Sequence, residues 1–152
     1  MTTTNRPDGR PSGRIPVADG LFAETEDGPR LLGSRCAGCR TPYFPRSPVC
    51  HNPDCADKRI EDARFGPRGA LWSYSVQHYP PPEPAKYDDP FVPYALGLID
   101  LDDGLRVLAR IAVDVPESLR VGSQVELIVD NLYTDPDGNE VTTWKFRPVQ
   151  ER

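Results

Sequence analysis

The sequence predicts a mostly β protein in which a small metal-stapled ribbon precedes a five-stranded barrel, and three observations carry that prediction. Four cysteines fall in two close pairs in the first third of the chain, five alternating runs separated by turn signals fill much of the remainder, and long apolar runs are few. With 18 prolines and 12 glycines in 152 residues, short strands and turns are favoured over a helical bundle. That length suits a metal-stapled miniature domain joined to a barrel of about 80 residues.

Residues 1–20 are rich in Thr, Pro, Gly, Asp and Arg, with almost no apolar periodicity. Such a segment buries too little surface to offset its ordering entropy, so it reads as a disordered arm. Residues 21–66 form the next unit, an N-terminal segment and ribbon. Leu21, Phe22, Leu31 and Leu32 are its first apolar anchors, and a short helix or turn is expected around Leu21 to Glu26.

Within that unit the pattern is Cys36-x2-Cys39, ten intervening residues, then Cys50-x4-Cys55. Each pair supplies two thiolates from one knuckle, and bringing the knuckles together closes a tetrahedron suited to one structural Zn2+, which takes four sulfur ligands at about 2.3 Å. Gly38 is expected to supply backbone angles that turn amide N–H groups toward the sulfurs, and Asn52-Pro53 to fix the longer second turn. Tetrahedral sulfur also suits rubredoxin-like iron, and disulfide pairing is the other reading of four cysteines. His51 could replace one thiolate, but four cysteines already saturate a closed site. A closed site is structural; a catalytic zinc would need an open position.

Residues 67–152 read as the barrel. Ala70 to Tyr79 alternates, then Pro80 to Pro90 makes a long proline- and acid-bearing loop that cannot join a sheet interior. Tyr94 to Leu101 and Leu105 to Val113 flank the hairpin signal Asp102-Asp103-Gly104. Residues 116–122 read as a connector, and Gln124 to Asp130 and Val141 to Pro148 close a last hairpin around Asp135 to Asn139. Five short strands with a longer connection after the third match an OB-type Greek-key barrel better than a seven-stranded sandwich.

Charge is divided along the chain. Residues 30–70 carry eight basic residues against four acids, +4, whereas residues 71–152 carry seven against fourteen, −7. An acidic barrel repels a phosphate backbone, which argues against the single-strand nucleic-acid binding that ribbons and OB barrels otherwise suggest. No stretch approaches the roughly 20 apolar residues of a membrane helix, and residues 1–20 lack a signal-peptide core. A soluble, cytoplasmic protein with reduced thiols is expected. With only His51 and His78 as histidines, and no Gly-x-Ser-x-Gly elbow, Walker loop or Rossmann fingerprint, autonomous catalysis is not expected.

The order of several short motifs resembles a family. Arg35-Cys36-Ala37-Gly38-Cys39-Arg40, Tyr43-Phe44-Pro45-Arg46, Gly66-Pro67-Arg68-Gly69-Ala70-Leu71-Trp72, Phe91-Val92-Pro93-Tyr94-Ala95-Leu96-Gly97 and Leu119-Arg120-Val121-Gly122 follow the pattern of the zinc-ribbon OB-fold proteins called domain of unknown function 35. The resemblance covers roughly residues 21–148. It implies a non-catalytic partner in a hetro-oligomer with thiolase-like enzymes of acyl-CoA metabolism, including aldolases that shorten steroid side chains, and in some systems with a MaoC-like hydratase. Two departures stand out: the family commonly spaces its second pair Cys-x2-Cys, and Pro80 to Pro84 lengthens the loop before Phe91.

Given such a partner, Tyr87, Phe91 and Tyr94 are the expected interface anchors, because a proline-rich loop orders at little entropic cost. Arg35, Arg40 and Arg46 are candidate contacts to the phosphates of an acyl-CoA, since guanidinium pairs well with phosphate. A single-stranded nucleic-acid module and a free-standing acyl-CoA binding protein are the alternatives.

Overall fold

A computed structural model describes residues 13–149. Ten strands run in order β1 (Arg14–Pro16), β2 (Phe22–Thr25), β3 (Gly28–Cys36), β4 (Pro42–Tyr43), β5 (Ile60–Phe65), β6 (Arg68–Gln77), β7 (Tyr94–Leu101), β8 (Arg106–Ile111), β9 (Gln124–Thr134) and β10 (Glu140–Pro148), with a 3-10 turn at Pro116–Ser118. Among the described residues no helix is long and apolar enough to cross a membrane.

The last five strands close the barrel: β6 pairs β7, β7 pairs β8, β8 pairs β10 in parallel, β10 pairs β9, and β9 returns to β6. The parallel pairing within the barrel is what the long connection after the third barrel strand produces, because a hairpin can only join antiparallel neighbours. Alternation carries the interior. Ala95, Ile99 and Leu101 of β7, Val107, Ala109 and Ile111 of β8, and Phe146 of β10 are buried, while their neighbours in sequence face outward. Gly97 is closely packed there: a Cβ would stand 2.8 Å from Leu71 Cδ1 and 2.9 Å from Ile111 Cδ1, and both side chains would have to shift. At Trp72 the β6–β7 register shifts, leaving the indole half exposed with the Arg106 guanidinium 4.4 Å above it.

Two sequence expectations change. Leu21 to Glu26 is no helix: Phe22 to Thr25 is strand β2, paired antiparallel with β3 so that Phe22 faces Leu31. Its turn, Glu26-Asp27-Gly28 with Gly28 at φ 96°, is held by the Thr25 hydroxyl donating to the Gly28 carbonyl at 2.7 Å. The disordered arm expected over residues 1–20 lies outside the described residues as far as residue 12, but Arg14–Pro16 is a strand lying parallel to β10. Gly13 N–H donates to Asn139 Oδ1 at 3.1 Å, and Val17 N–H to the Thr142 carbonyl at 2.8 Å. Long-range backbone bonds order this stretch, where local apolar content gives no hint of it.

The ribbon sheet centres on β3, with β2 and β4 along one edge and β5 along the other. It is not a separate globule. Leu31 and Phe65, both fully buried, belong to the same core as Leu127 and Phe146 of the barrel. Each such side chain contributes roughly 1.5–3 kcal/mol by burial. Phe22 and Phe44 of the ribbon meet Trp144 of β10 at 6.2 and 5.3 Å between ring centroids, the latter edge to face. The β7–β8 hairpin straps the junction: Asp103 accepts from Gly66 N–H at 3.0 Å through its carboxylate, and from Arg35 at 2.9 Å through its carbonyl.

Candidate metal centre and its surroundings

Strand pairing brings the two cysteine turns face to face. Cys36 ends β3, and the first turn closes when Arg40 N–H donates to the Cys36 carbonyl at 2.7 Å and Cys36 N–H donates to the Thr41 carbonyl at 3.0 Å. In the second turn the Asn52 side chain accepts from Asp54 N–H at 3.0 Å and its carbonyl from Cys55 N–H at 3.1 Å, as an Asn-Pro turn should. Lys58 Nζ donates to the carbonyls of Cys50 and Asn52, at 3.2 and 2.6 Å. Tyr43 clamps the same turn, donating its hydroxyl to Cys50 Sγ at 3.4 Å and accepting from His51 N–H at 2.7 Å.

Gly38 serves a purpose beyond the expected one: its amide does turn toward the Cys36 sulfur, and its lack of a Cβ matters as well. It does not adopt a positive φ; a Cβ there would stand 1.8 Å from the Asp57 carbonyl oxygen, so the residue is required by close approach. The left-handed backbone of this turn falls to Arg40, at φ 69°. A side chain in that region costs about 1 kcal/mol or more, so Arg40→Gly is expected to raise stability by about 1 kcal/mol, read from the denaturation midpoint of metal-loaded protein.

The four Sγ atoms lie within 4.8 Å of one another, with 3.6 Å from Cys39 to Cys50 and 3.8 Å from Cys36 to Cys55. Four sulfurs at about 2.3 Å from a central zinc stand roughly 3.8 Å apart along the tetrahedron's edges, so the cluster has the size of a zinc site. All four cysteines are free, Cys36 and Cys50 buried, Cys39 and Cys55 half-buried. Backbone hydrogen bonds, first from Cys39 and then from Arg59, hold the Cys36 thiol below its ordinary pKa. The Thr41 hydroxyl, 3.1 Å from Cys39 Sγ, and then the Thr41 backbone bring Cys39 down to about 6. Donors aimed at sulfur favour the thiolate, which is the form that ligates. Burial pushes Cys55 up to about 11, and a coordinated cation reverses such a shift outright. His51 stands aside from the cluster, its Nε2 bonded to Ser47 Oγ at 3.0 Å.

Of the three arginines, two are already engaged. Arg35 is occupied as a brace, donating to the carbonyls of Arg40 and Asp103 at 2.8 and 2.9 Å with its guanidinium over Phe65. Arg46 pairs with Asp62 beside a cavity of about 710 Å3 that it shares with Leu32 and Arg64. Arg40 is exposed at the first knuckle. The three aromatics come together. Tyr87 meets Phe91 at 5.8 Å and Phe91 meets Tyr94 at 6.0 Å, both edge to face, and Arg110 covers the Tyr94 ring at 3.7 Å. Neither the Tyr43 clamp nor Arg110 was singled out from sequence; Tyr43 lies between the cysteine pairs, while nothing local marks Arg110.

The closed barrel and the four-sulfur cluster together define a protein of the zinc-ribbon OB-fold class. Residues 27–61 match the family described as the ChsH2 rubredoxin-like zinc ribbon domain, and residues 63–130 the ChsH2 C-terminal OB-fold domain. A DUF35 domain-containing scaffold protein of Methanocaldococcus jannaschii is 33% identical over 122 residues, 79% of this chain and 82% of that protein. The chain belongs to the DUF35 family. The benzoylsuccinyl-CoA thiolase subunit BbsA of Thauera aromatica is 31% identical over 128 residues, 80% of this chain and 78% of its own. A solved Ltp2-ChsH2(DUF35) aldolase superposes with a TM-score of 0.55 at 29% identity, covering 78% of this chain and 84% of that one.

Proposed function

We propose that the protein is a non-catalytic accessory subunit of a thiolase-like enzyme acting on acyl-CoA thioesters. It holds one structural Zn2+ through Cys36, Cys39, Cys50 and Cys55, stabilises its partner and shapes the partner's acyl-CoA site. The observation that supports this reading most is the length of the likeness: a thiolase subunit and the solved aldolase both align with about four fifths of the chain, ribbon and barrel together. A retro-aldolase acting on a steroid side-chain CoA ester, with a MaoC-like hydratase as a further partner, is the particular setting proposed. Metal-bound thiolates suit a reducing compartment, so that setting is the cytoplasm.

Tetrahedral sulfur suits either metal, and zinc is favoured over iron because the matching family is described as a zinc ribbon. In this reading the ribbon ligates, the cation orders the turns, and chemistry belongs to the partner. Tyr87, Phe91 and Tyr94 present the proline-rich loop to that partner. Arg40 and Arg46 are the donors for the CoA phosphates, and Arg35 holds the knuckle that carries Arg40.

Affinity purification from the native host, with mass identification of the untagged proteins that accompany the chain, tests the proposal. A thiolase-like protein is expected in stoichiometric amount, and Phe91→Ala is expected to reduce its recovery. Repeated isolation as an unaccompanied monomer would count against the reading.

A further inference from the structure

The outer face of β7 and β8, roofed by the proline-rich loop, holds a cavity of about 460 Å3. Pro81, Pro84, Ala85 and Lys86 of the loop form one wall; Tyr94, Leu96, Leu108 and Arg110 of the strands form the floor. Tyr133 near the end of β9 and Thr143 of β10 help complete it. This is the face on which OB barrels in general take their ligands, between the second and third strands and the loops beside them. The size falls in the ordinary range of small-molecule pockets, and the lining is chiefly apolar.

Two features distinguish it from the rest of an acidic barrel. The lining includes two cations, Lys86 and Arg110, and no Asp or Glu. Among the described residues neither side chain has an ion pair or hydrogen bond. Arg110 is also partly desolvated: burial pushes its guanidinium below the ordinary arginine value, and its one partner is the Tyr94 face at 3.7 Å. A guanidinium remains charged in such a place and keeps its N–H fork unspent, which an anion's oxygens would satisfy. A second, smaller cavity of about 170 Å3 also touches Arg110, beside Phe91 and Val92; it includes Asp88, whose carboxylate accepts from Thr134 N–H at 2.9 Å, so the anion is placed in the larger cavity, where the lining holds no acid.

We propose that this cavity is a binding site for a small apolar carboxylate, its carboxylate on Arg110 with Lys86 at the rim and its hydrocarbon part against Leu96, Leu108 and the loop prolines. This goes beyond the accessory-subunit reading, because the full chain by itself carries the site. A nucleic acid fits less well: the stacking face of Tyr94 is already covered by Arg110 and that of Trp72 by Arg106, and two cations give little hold on a phosphate chain.

Calorimetric titration of the zinc-loaded full chain with decanoate and phenylbutyrate tests it, with decanamide as the uncharged control. A saturable one-site isotherm is expected for the acids, with the amide at least tenfold weaker, as the loss of a charged hydrogen bond implies. Arg110→Gln should weaken the acids by tenfold or more and leave acid and amide alike. Leu108→Glu, at an exposed position where folding is not at stake, should weaken the acids as well. Absence of saturable binding to wild-type protein overturns the proposal. So does equal affinity for acid and amide, or salt-sensitive binding of oligothymidylate that competes with the acids.

Discussion

Chelation of the reductively purified protein is expected to unfold the ribbon and to lower the melting temperature of the whole chain. Residues 36–59 have little core of their own: of the knuckle residues only Cys36, Ser47 and Cys50 are buried. Metal binding at structural zinc sites is worth about 10–16 kcal/mol in peptide systems near neutral pH, as large as the roughly 5–15 kcal/mol by which folded proteins are stable. Cys50→Ser should have the same effect without chelator, with less than one equivalent of zinc by elemental analysis. Acid should release the metal too, because every ligand must shed its proton. Cys39, brought down to about 6, is already a thiolate at neutral pH, whereas Cys55, at about 11, is not. Loading therefore expels at least one proton, and affinity should rise by at least about tenfold per pH unit through the neutral range. Metal-free protein with an unchanged melting curve would refute the structural role of the four sulfurs.

Gly38→Ala is expected to reduce metal affinity by roughly 10–100-fold, the usual cost of disturbing groups that orient ligands. The added methyl would occupy space 1.8 Å from the Asp57 carbonyl oxygen, so the segment from Asp57 to Arg59 must move away. That segment carries the Arg59 carbonyl, which accepts from Ala37 N–H at 2.7 Å, and the Arg59 backbone group that helps lower the pKa of Cys36. Competition against a chromophoric chelator reads the change directly. Affinity equal to that of the parent protein would mean the knuckle tolerates the shift and that the close approach has no functional weight.

These outcomes bear on what the sequence reveals. The five barrel strands were readable to within a few residues at their ends, Tyr94–Leu101 with its bounds intact, since it alternates cleanly and Asp102-Asp103-Gly104 announces its turn. Strand β2 was missed although Glu26-Asp27-Gly28 carries the same chemistry; Phe22 to Thr25 is too short to display a period. Strand β1 gave no local signal at all, because what orders it is the edge of β10 more than a hundred residues away. At the centre, the spacing of Cys36, Cys39, Cys50 and Cys55 foretold the sulfur cluster. It could not tell that Gly38 answers to a neighbouring carbonyl while Arg40 bears the unusual dihedral. Spacing encodes which side chains converge; it does not encode which backbones collide. Arg110 shows the same limit, its isolation being a property of what surrounds it in three dimensions.

The strap at Asp103 and the seam at Trp144 have a further consequence for how this chain can be dissected. Severing it near Gly66 would not yield two self-sufficient halves: the barrel fragment would carry a greasy scar where Leu31 and Phe65 had sat, and the ribbon fragment would lose the floor beneath them. A neighbouring polypeptide that grips the sulfur-bearing end therefore rests on side chains that also wall the barrel's interior.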